Sequence, residues 1–387
     1  LRANTEANTE ANTEPSTTAA TEGGARPHGP EHGPEHGAGV DPPVHRKDRA
    51  AQVAALAWSA LYAVFGAYWW FSGNAFPYAA GGGDEPGASL VALTGTAEAA
   101  VVLAGLPAVL LALVLLRGSR AGRPLLIGAG AALAGILLLA MTDVNLLASV
   151  GYLPFGVYGL ITGHEVGGVF LAVITEWPLL HGMLCVLGGL LWARAVLGYA
   201  RRTGDVCADC GRGAAADGWL SPPAAARWGR VAALIAAVIP VLYAVTRYAW
   251  ALGIPLGISE EFLRQGQEAG MWLAGSFLAS FGVVGAVLTL GLFQKWGEVF
   301  PRWMVGLAGR RVPVSLAVIP ASFVSVLVTV GGFAMWTGYA RAVTPLETDF
   351  MASAPGLLWP LWGVALAAAT LAYHHRRLPA CATCDRP

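Results

Sequence analysis

Residues 229–253 read GRVAALIAAVIPVLYAVTRYAWALG, an apolar run interrupted only by Arg230 near its start and Arg247 near its end. About 20 consecutive apolar residues are enough to carry a helix across a ~30 Å hydrocarbon core. Lipid offers no hydrogen-bond partners, so a backbone crossing it must satisfy its own polar groups. The run therefore predicts a membrane-spanning helix and not a strand. Seven further runs of the same kind lie near 52–72, 89–116, 124–142, 179–199, 270–294, 312–336 and 356–373. The predicted fold class is all-α: a polytopic membrane protein with eight transmembrane helices. Pro107, Pro240, Pro320 and Pro360 fall inside the runs and predict local kinks.

Composition agrees. Of 387 residues, 55% are hydrophobic and only 12% are charged, and the mean hydropathy is +0.55. A soluble domain carries about a quarter charged residues, so much of this surface is suited to a lipid bilayer. The formal net charge is zero, which leaves no global basic field for nucleic acid. Arginine replaces lysine almost throughout and Ala and Gly are abundant, a bias that fits a GC-rich, actinobacterial-type genome. No secretory signal is read before the first apolar run.

The basic residues set the expected orientation. Arg46, Lys47 and Arg49 precede the first span, and Arg117, Arg120 and Arg123 lie between the second and third. Arg194, Arg201, Arg202, Arg212, Arg227 and Arg230 flank the connection from span four to span five. Lys295, Arg302, Arg310 and Arg311 follow span six, and Arg376, Arg377 and Arg386 follow span eight. Nineteen basic residues thus gather on one side, against Arg264 and Arg341 in the loops of the other. By the positive-inside rule both termini are expected in the cytoplasm, in a multi-pass protein of the cell membrane.

Residues 1–50 form a low-complexity tail with threefold ANTE and a His28, His32, His36 run broken by Pro30 and Pro34. It has little apolar surface to bury and is expected to be disordered and cytoplasmic. The remainder divides into 51–212, a cytoplasmic linker 213–228, and 229–387. Its two large segments echo each other. Leu61-Tyr62-Ala63-Val64 recurs as Leu242-Tyr243-Ala244-Val245, and Trp69 as Trp250. Gly95 and Gly105 match Gly275 and Gly285, Ala121-Gly122-Arg123 matches Ala308-Gly309-Arg310, and RRTGDVCADC matches RRLPACATC. An even number of spans in each segment implies two parallel four-helix repeats related by an axis along the membrane normal. Each repeat also resembles a family of small four-helix bacterial membrane proteins of unknown function. In that family an aromatic-rich first helix leads three more spans, and an Asp precedes the last. Tyr68-Trp69-Trp70 carries the first feature and Thr348-Asp349-Phe350 the second, whereas the N-terminal half departs from the pattern around residues 150–178. The resemblance implies architecture and brings no activity.

Both repeats end in C-x-x-C: Cys207 and Cys210, then Cys381 and Cys384. Four thiolates from two such hairpins match the ligand count of a closed zinc site. A reducing cytosol disfavours disulfides. A redox hairpin activated by nearby arginines and plain juxtamembrane cysteines are the competing readings. Cys185, inside span four, has no partner spacing and reads as a packed apolar side chain.

Glu98 and Arg247 are ionisable groups inside apolar runs. Such groups generally pair or face a watery cavity. Glu98 reads as about ten residues deep in span two, and a salt bridge across the repeats, or a protonated and hydrogen-bonded Glu98, is favoured over an anion or proton site. The connection from Thr142 to Pro178 reads as a long outer loop. With the start of span four it holds Asp143, His164, Glu165, Glu176 and His181, a possible outer vestibule whose spacing fits no helix-face metal motif. Trp192, Trp228, Trp296 and Trp303 on one side, and Trp69, Trp70, Trp272 and Trp336 on the other, sit where an aromatic belt would place them.

No nucleotide-binding glycine motif, nucleophile elbow or haem-ligand pattern stands out. The leading functional reading is a noncatalytic scaffold or small-solute transporter with a structural zinc clamp. The alternatives are a membrane thiol oxidoreductase, or a zinc or redox sensor that signals to a cytoplasmic protein partner.

Overall fold

The computed structural model describes residues 43–72, 97–142, 144–204, 206–207, 213, 218–219, 221–341, 349–378, 381 and 384, without the side chains of 43–45, 97–104 and 337–341. The described residues form one compact unit within Asp41–Pro387. The molecule is an all-α polytopic membrane protein. Among the described residues the only pairing of extended backbone is an isolated bridge, Val299 to Arg311.

Eight helices are long and apolar enough to cross a membrane. Seven match predicted spans: α1 (Pro43–Ser72), α3 (Arg123–Gly135) with the π-turn that continues it to Ala140, α6 (Trp177–Arg202), α7 (Pro222–Ala251), α9 (Met271–Gly291), α10 (Val314–Arg341), and α12 (Trp359–Arg377), whose span begins at Phe350. The predicted second span is α2 (Ala97–Arg117), whose described apolar stretch is Gly105–Arg117. The eighth helix of the set is α4 (Val144–Thr162), in what reads from sequence as an outer loop. That expectation is corrected: α4 and α5 (Glu165–Thr175) form a helical hairpin. Two short helices complete the fold, α8 (Glu260–Glu268) and α11 (Phe350–Leu357). Two boundaries also move. Helix α1 starts at Pro43, inside the segment read as a disordered tail, and α7 starts at Pro222, inside the predicted linker. Residues 1–42 lie outside the described residues.

In the first half α1 packs against α2 and α6, and α6 against α3; in the second α7 packs against α9 and α12, and α12 against α10. Small residues permit these approaches, as helices without a hydrophobic driving force between them require. A Cβ at Gly198 of α6 would lie 2.8 Å from the Asp48 Cβ of α1, and Gly229 of α7 meets Ala372 of α12 in the corresponding place.

The hairpin forms the seam between the halves. After α3 the chain widens into a π-turn, Ile136–Ala140, and enters α4. Leu146 and Leu147 of α4 join Leu179 and Val186 of α6 and Leu327 of α10 in one apolar cluster. Further along α4, Phe155 meets Phe277 of α9 with ring centroids 5.5 Å apart. The hairpin closes through Gly159 and Gly167, where a Cβ on Gly159 would sit 2.6 Å from the Gly167 nitrogen. Gly159→Val is therefore expected to splay the hairpin and cost about 1–3 kcal/mol. Thermal unfolding in detergent measures this, and an unchanged midpoint would show that the hairpin tolerates the gap.

Among the described residues, the basic side chains predicted on one side gather at one end of the bundle, the end where α6 and α12 finish; Arg212 and Arg386 lie outside the described residues. Arg202 of α6 donates to Gln52 and to the Leu115 carbonyl at the end of α2, while Tyr199 donates to the Ser119 carbonyl. In the second half Arg376 donates to the Leu292 carbonyl beyond α9, and Tyr373 donates to the Gly297 carbonyl at 2.8 Å. In each half, the last helix thus ties down the turn between its second and third helices.

Of the predicted belt, Trp70, Trp303 and Trp336 are exposed, but Trp69, Trp192 and Trp272 are buried. Trp192 is fully buried because its indole N–H donates to Ser59 in the α1–α6 contact.

Candidate metal centre and buried polar groups

The chain leaving α6 and the chain leaving α12 bring Cys207, Cys381 and Cys384 together, all half-buried. Their three Sγ atoms lie within 4.8 Å of one another, an arrangement that could hold a metal ion. Cys207 Sγ and Cys381 Sγ are 4.0 Å apart. Four thiolates at ~2.3 Å from a tetrahedral ion would be separated by roughly 3.8 Å, whereas a disulfide requires ~2.05 Å. The Cys207–Cys381 separation is close to that of two ligands on one ion and too long for a disulfide. Among the described residues this is the only group of three or more His, Cys, Asp or Glu side chains close enough to share a metal. Cys210 lies outside the described residues.

The structure also gives the two cysteine segments a register. Tyr199 to Cys210 and Tyr373 to Cys384 align without a gap, as Tyr-x-x-Arg-x-x-x-x-Cys-x-x-Cys. Tyr199 and Tyr373, and Arg202 and Arg376, make equivalent bonds. Pairing Arg201-Arg202 with Arg376-Arg377 instead requires a one-residue gap before the cysteines.

Among the described residues the predicted vestibule side chains do not come together. His164 caps the start of α5, its Nδ1 accepting from Val166 N–H at 3.4 Å, and Glu165 occupies the first turn. Glu176 is exposed between α5 and α6, and Asp143 lies outside the described residues. His181 is buried instead, at 1% exposure, in the core of the first half. Its Nε2 lies 3.3 Å from the Tyr62 hydroxyl, and the ring sits beside Trp69, Trp177 and Cys185.

The Glu98–Arg247 expectation falls partly outside the described residues. Residues 73–96 are not described, and helix α2 is described from Ala97, the residue before Glu98. Its side chain is outside those described, and α2 packs against α1, α3 and α6. Arg247 belongs to α7. Its guanidinium lies over the rings of Tyr243, at 4.5 Å, and Trp250, at 4.4 Å, and donates to the Ala352 carbonyl at 3.1 Å. Among the described residues no carboxylate pairs with it.

A buried ion pair was missed. Asp48 of α1 is 0% exposed and its Oδ1 lies 2.6 Å from Arg194 Nη2 of α6. Its carboxylate accepts no aligned hydrogen bond among the described residues. On the opposite end, the outer face of α8 carries a surface pair, in which the hydrogen bond from Arg264 holds the Glu261 carboxyl below its ordinary range.

The fold and the cysteine cluster define a class, a multi-pass α-helical membrane protein with a metal-capable thiol site at the basic end of its bundle. No family model matches the chain, and no curated protein or solved structure does either.

Proposed function

We propose that this chain is a noncatalytic membrane scaffold or small-solute transporter made of two parallel four-helix repeats, clamped together at their cytoplasmic ends by one structural zinc. The convergence of Cys207 with Cys381 and Cys384, from segments 174 residues apart, carries the reading. Cys210 would complete a closed tetrahedral set, which leaves no open coordination position for chemistry. The shared Tyr-x-x-Arg-x-x-x-x-Cys-x-x-Cys word and the equivalent contacts at Gly198 and Gly229 support a duplication. They fit the likeness of each half to a small four-helix membrane unit. The basic end supports a cytoplasmic site.

Metal analysis of the purified protein tests the clamp. One zinc per chain is expected, held more weakly against a chelator in Cys207→Ser while the protein remains inserted. Metal-free wild type, or zinc held as tightly by the variant, would refute it. For sidedness, a cysteine introduced in 73–88 should react with an impermeant label from outside and one near Gly213 should not. The reverse pattern would invert the orientation.

A sensor is the second reading, favoured by the 4.0 Å separation of Cys207 and Cys381. An external two-electron oxidant would take one electron from each of the two metal-bound thiolates, join their sulfurs as a disulfide, free the metal ion and so report to a cytoplasmic partner.

A further inference from the structure

We propose that the end of the bundle opposite the cysteines binds an anionic lipid, its headgroup on Arg247 and its acyl chain in the groove between α4 and α5. Arg247 sits near the end of α7, within a segment long and apolar enough to span the membrane. A cation there requires a compensating anion or water. The Tyr243 and Trp250 rings stabilise the guanidinium through their quadrupoles but bring no net negative charge. One of its nitrogens, Nη2, bonds the Ala352 carbonyl. The other, Nη1, is buried with no hydrogen-bond partner among the described residues. Gly275 of α9 borders the side chain without a Cβ of its own, which leaves room beside it. An unmet donor on a fork-shaped cation is suited to a phosphate oxygen.

The apolar part of the ligand has a place. Helices α4 and α5 enclose a groove of about 210 Å³, lined by Val169, Phe170, Val173 and Phe155, with Ser149 and Tyr152 along one wall. Helix α9 connects the two parts: its Phe277 meets Phe155 of the groove wall with ring centroids 5.5 Å apart, and its Gly275 borders Arg247. A soluble anion would have no use for the groove, and a neutral lipid none for the charge. The position of Arg247 is held by Gly66 in the first half, and no second hairpin like α4–α5 occurs among the described residues, so the site lies at the seam and has no counterpart in the other repeat.

The test is thermal unfolding of the full-length protein in detergent with added phosphatidylglycerol, phosphatidylcholine of the same chains, or inorganic phosphate. The basic end will also attract anionic lipid, so the decisive quantity is the difference between wild type and Arg247→Gln. Phosphatidylglycerol should raise the wild-type midpoint by roughly 4 °C more than that of the variant, with phosphatidylcholine and phosphate producing no such difference. Val169→Trp, which fills the groove and leaves the cation in place, should lose the same increment, and it serves if Arg247→Gln fails to fold. Equal phosphatidylglycerol shifts in wild type and either variant would overturn the site. So would phosphate reproducing the whole effect. Glu98→Gln should leave the shift unchanged; a larger shift would mean that Glu98 already neutralises Arg247 and would also overturn it.

Discussion

Arg194→Met should destabilise the protein by about 3 kcal/mol, the lower part of the range for breaking a buried pair. The loss leaves the Asp48 carboxylate, 0% exposed, without its cation. Arg194 is itself 40% exposed, so some water reaches the contact and holds the cost to the lower end. The double substitution Asp48→Ala with Arg194→Ala should be milder than either single one, because an absent pair strands no charge. The second half already makes this choice. There the positions equivalent to Asp48 and Arg194 are Gly229 and Ala368, and the α7–α12 contact is apolar. Chemical denaturation in detergent, compared across wild type, single and double variants, measures the cycle. A double variant as damaged as the sum of the singles would show that the two side chains act independently.

That pair was not legible for a definite reason. Asp48 stands between Lys47 and Arg49, in a stretch whose obvious property is the positive charge that orients the helix. Yet Asp48, Gln52, Ala55, Ser59 and Tyr62 recur at helical spacing, and all five are buried on the face α1 turns to α6. Polar residues on that stripe were the available signal. Long apolar runs were readable because hydrocarbon thickness sets a minimum length, and their alternation because arginine marks one end. Helix α4 escaped for the opposite reason. Gly151, Pro154, Gly156 and Gly159 punctuate it in the manner of a soluble loop, whereas in membranes such residues are accommodated within helices and favour close packing. His181 looked like part of an outer vestibule because nothing in its sequence neighbourhood marks it as core; its aromatic surroundings come from Tyr62 and Trp69, more than a hundred residues away. The cysteines were legible because two matching spacings at equivalent helix ends constrain where the thiols can go. The helix contacts that bring those ends together were not.

Each cysteine variant should weaken metal binding by a comparable factor, and Cys210 is the informative one. Structural zinc sites bind with about 10–16 kcal/mol of apparent free energy near neutral pH. Shared over four thiolates this is roughly 2.5–4 kcal/mol per ligand, or about 10²- to 10³-fold in affinity. Cys207→Ser, Cys381→Ser and Cys384→Ser should each show a loss of that order in competition with a chelator, since their Sγ atoms already lie within 4.8 Å of one another. If Cys210 supplies the fourth thiolate, Cys210→Ser should match them. If the variant binds as tightly as wild type, the fourth position belongs to water or another ligand, and the site is an open one. An open position is the arrangement that allows a metal to act on a substrate. That outcome would retain the metal and remove the noncatalytic reading built on it. Loss of affinity in none of the four variants would dismiss the shared ion altogether.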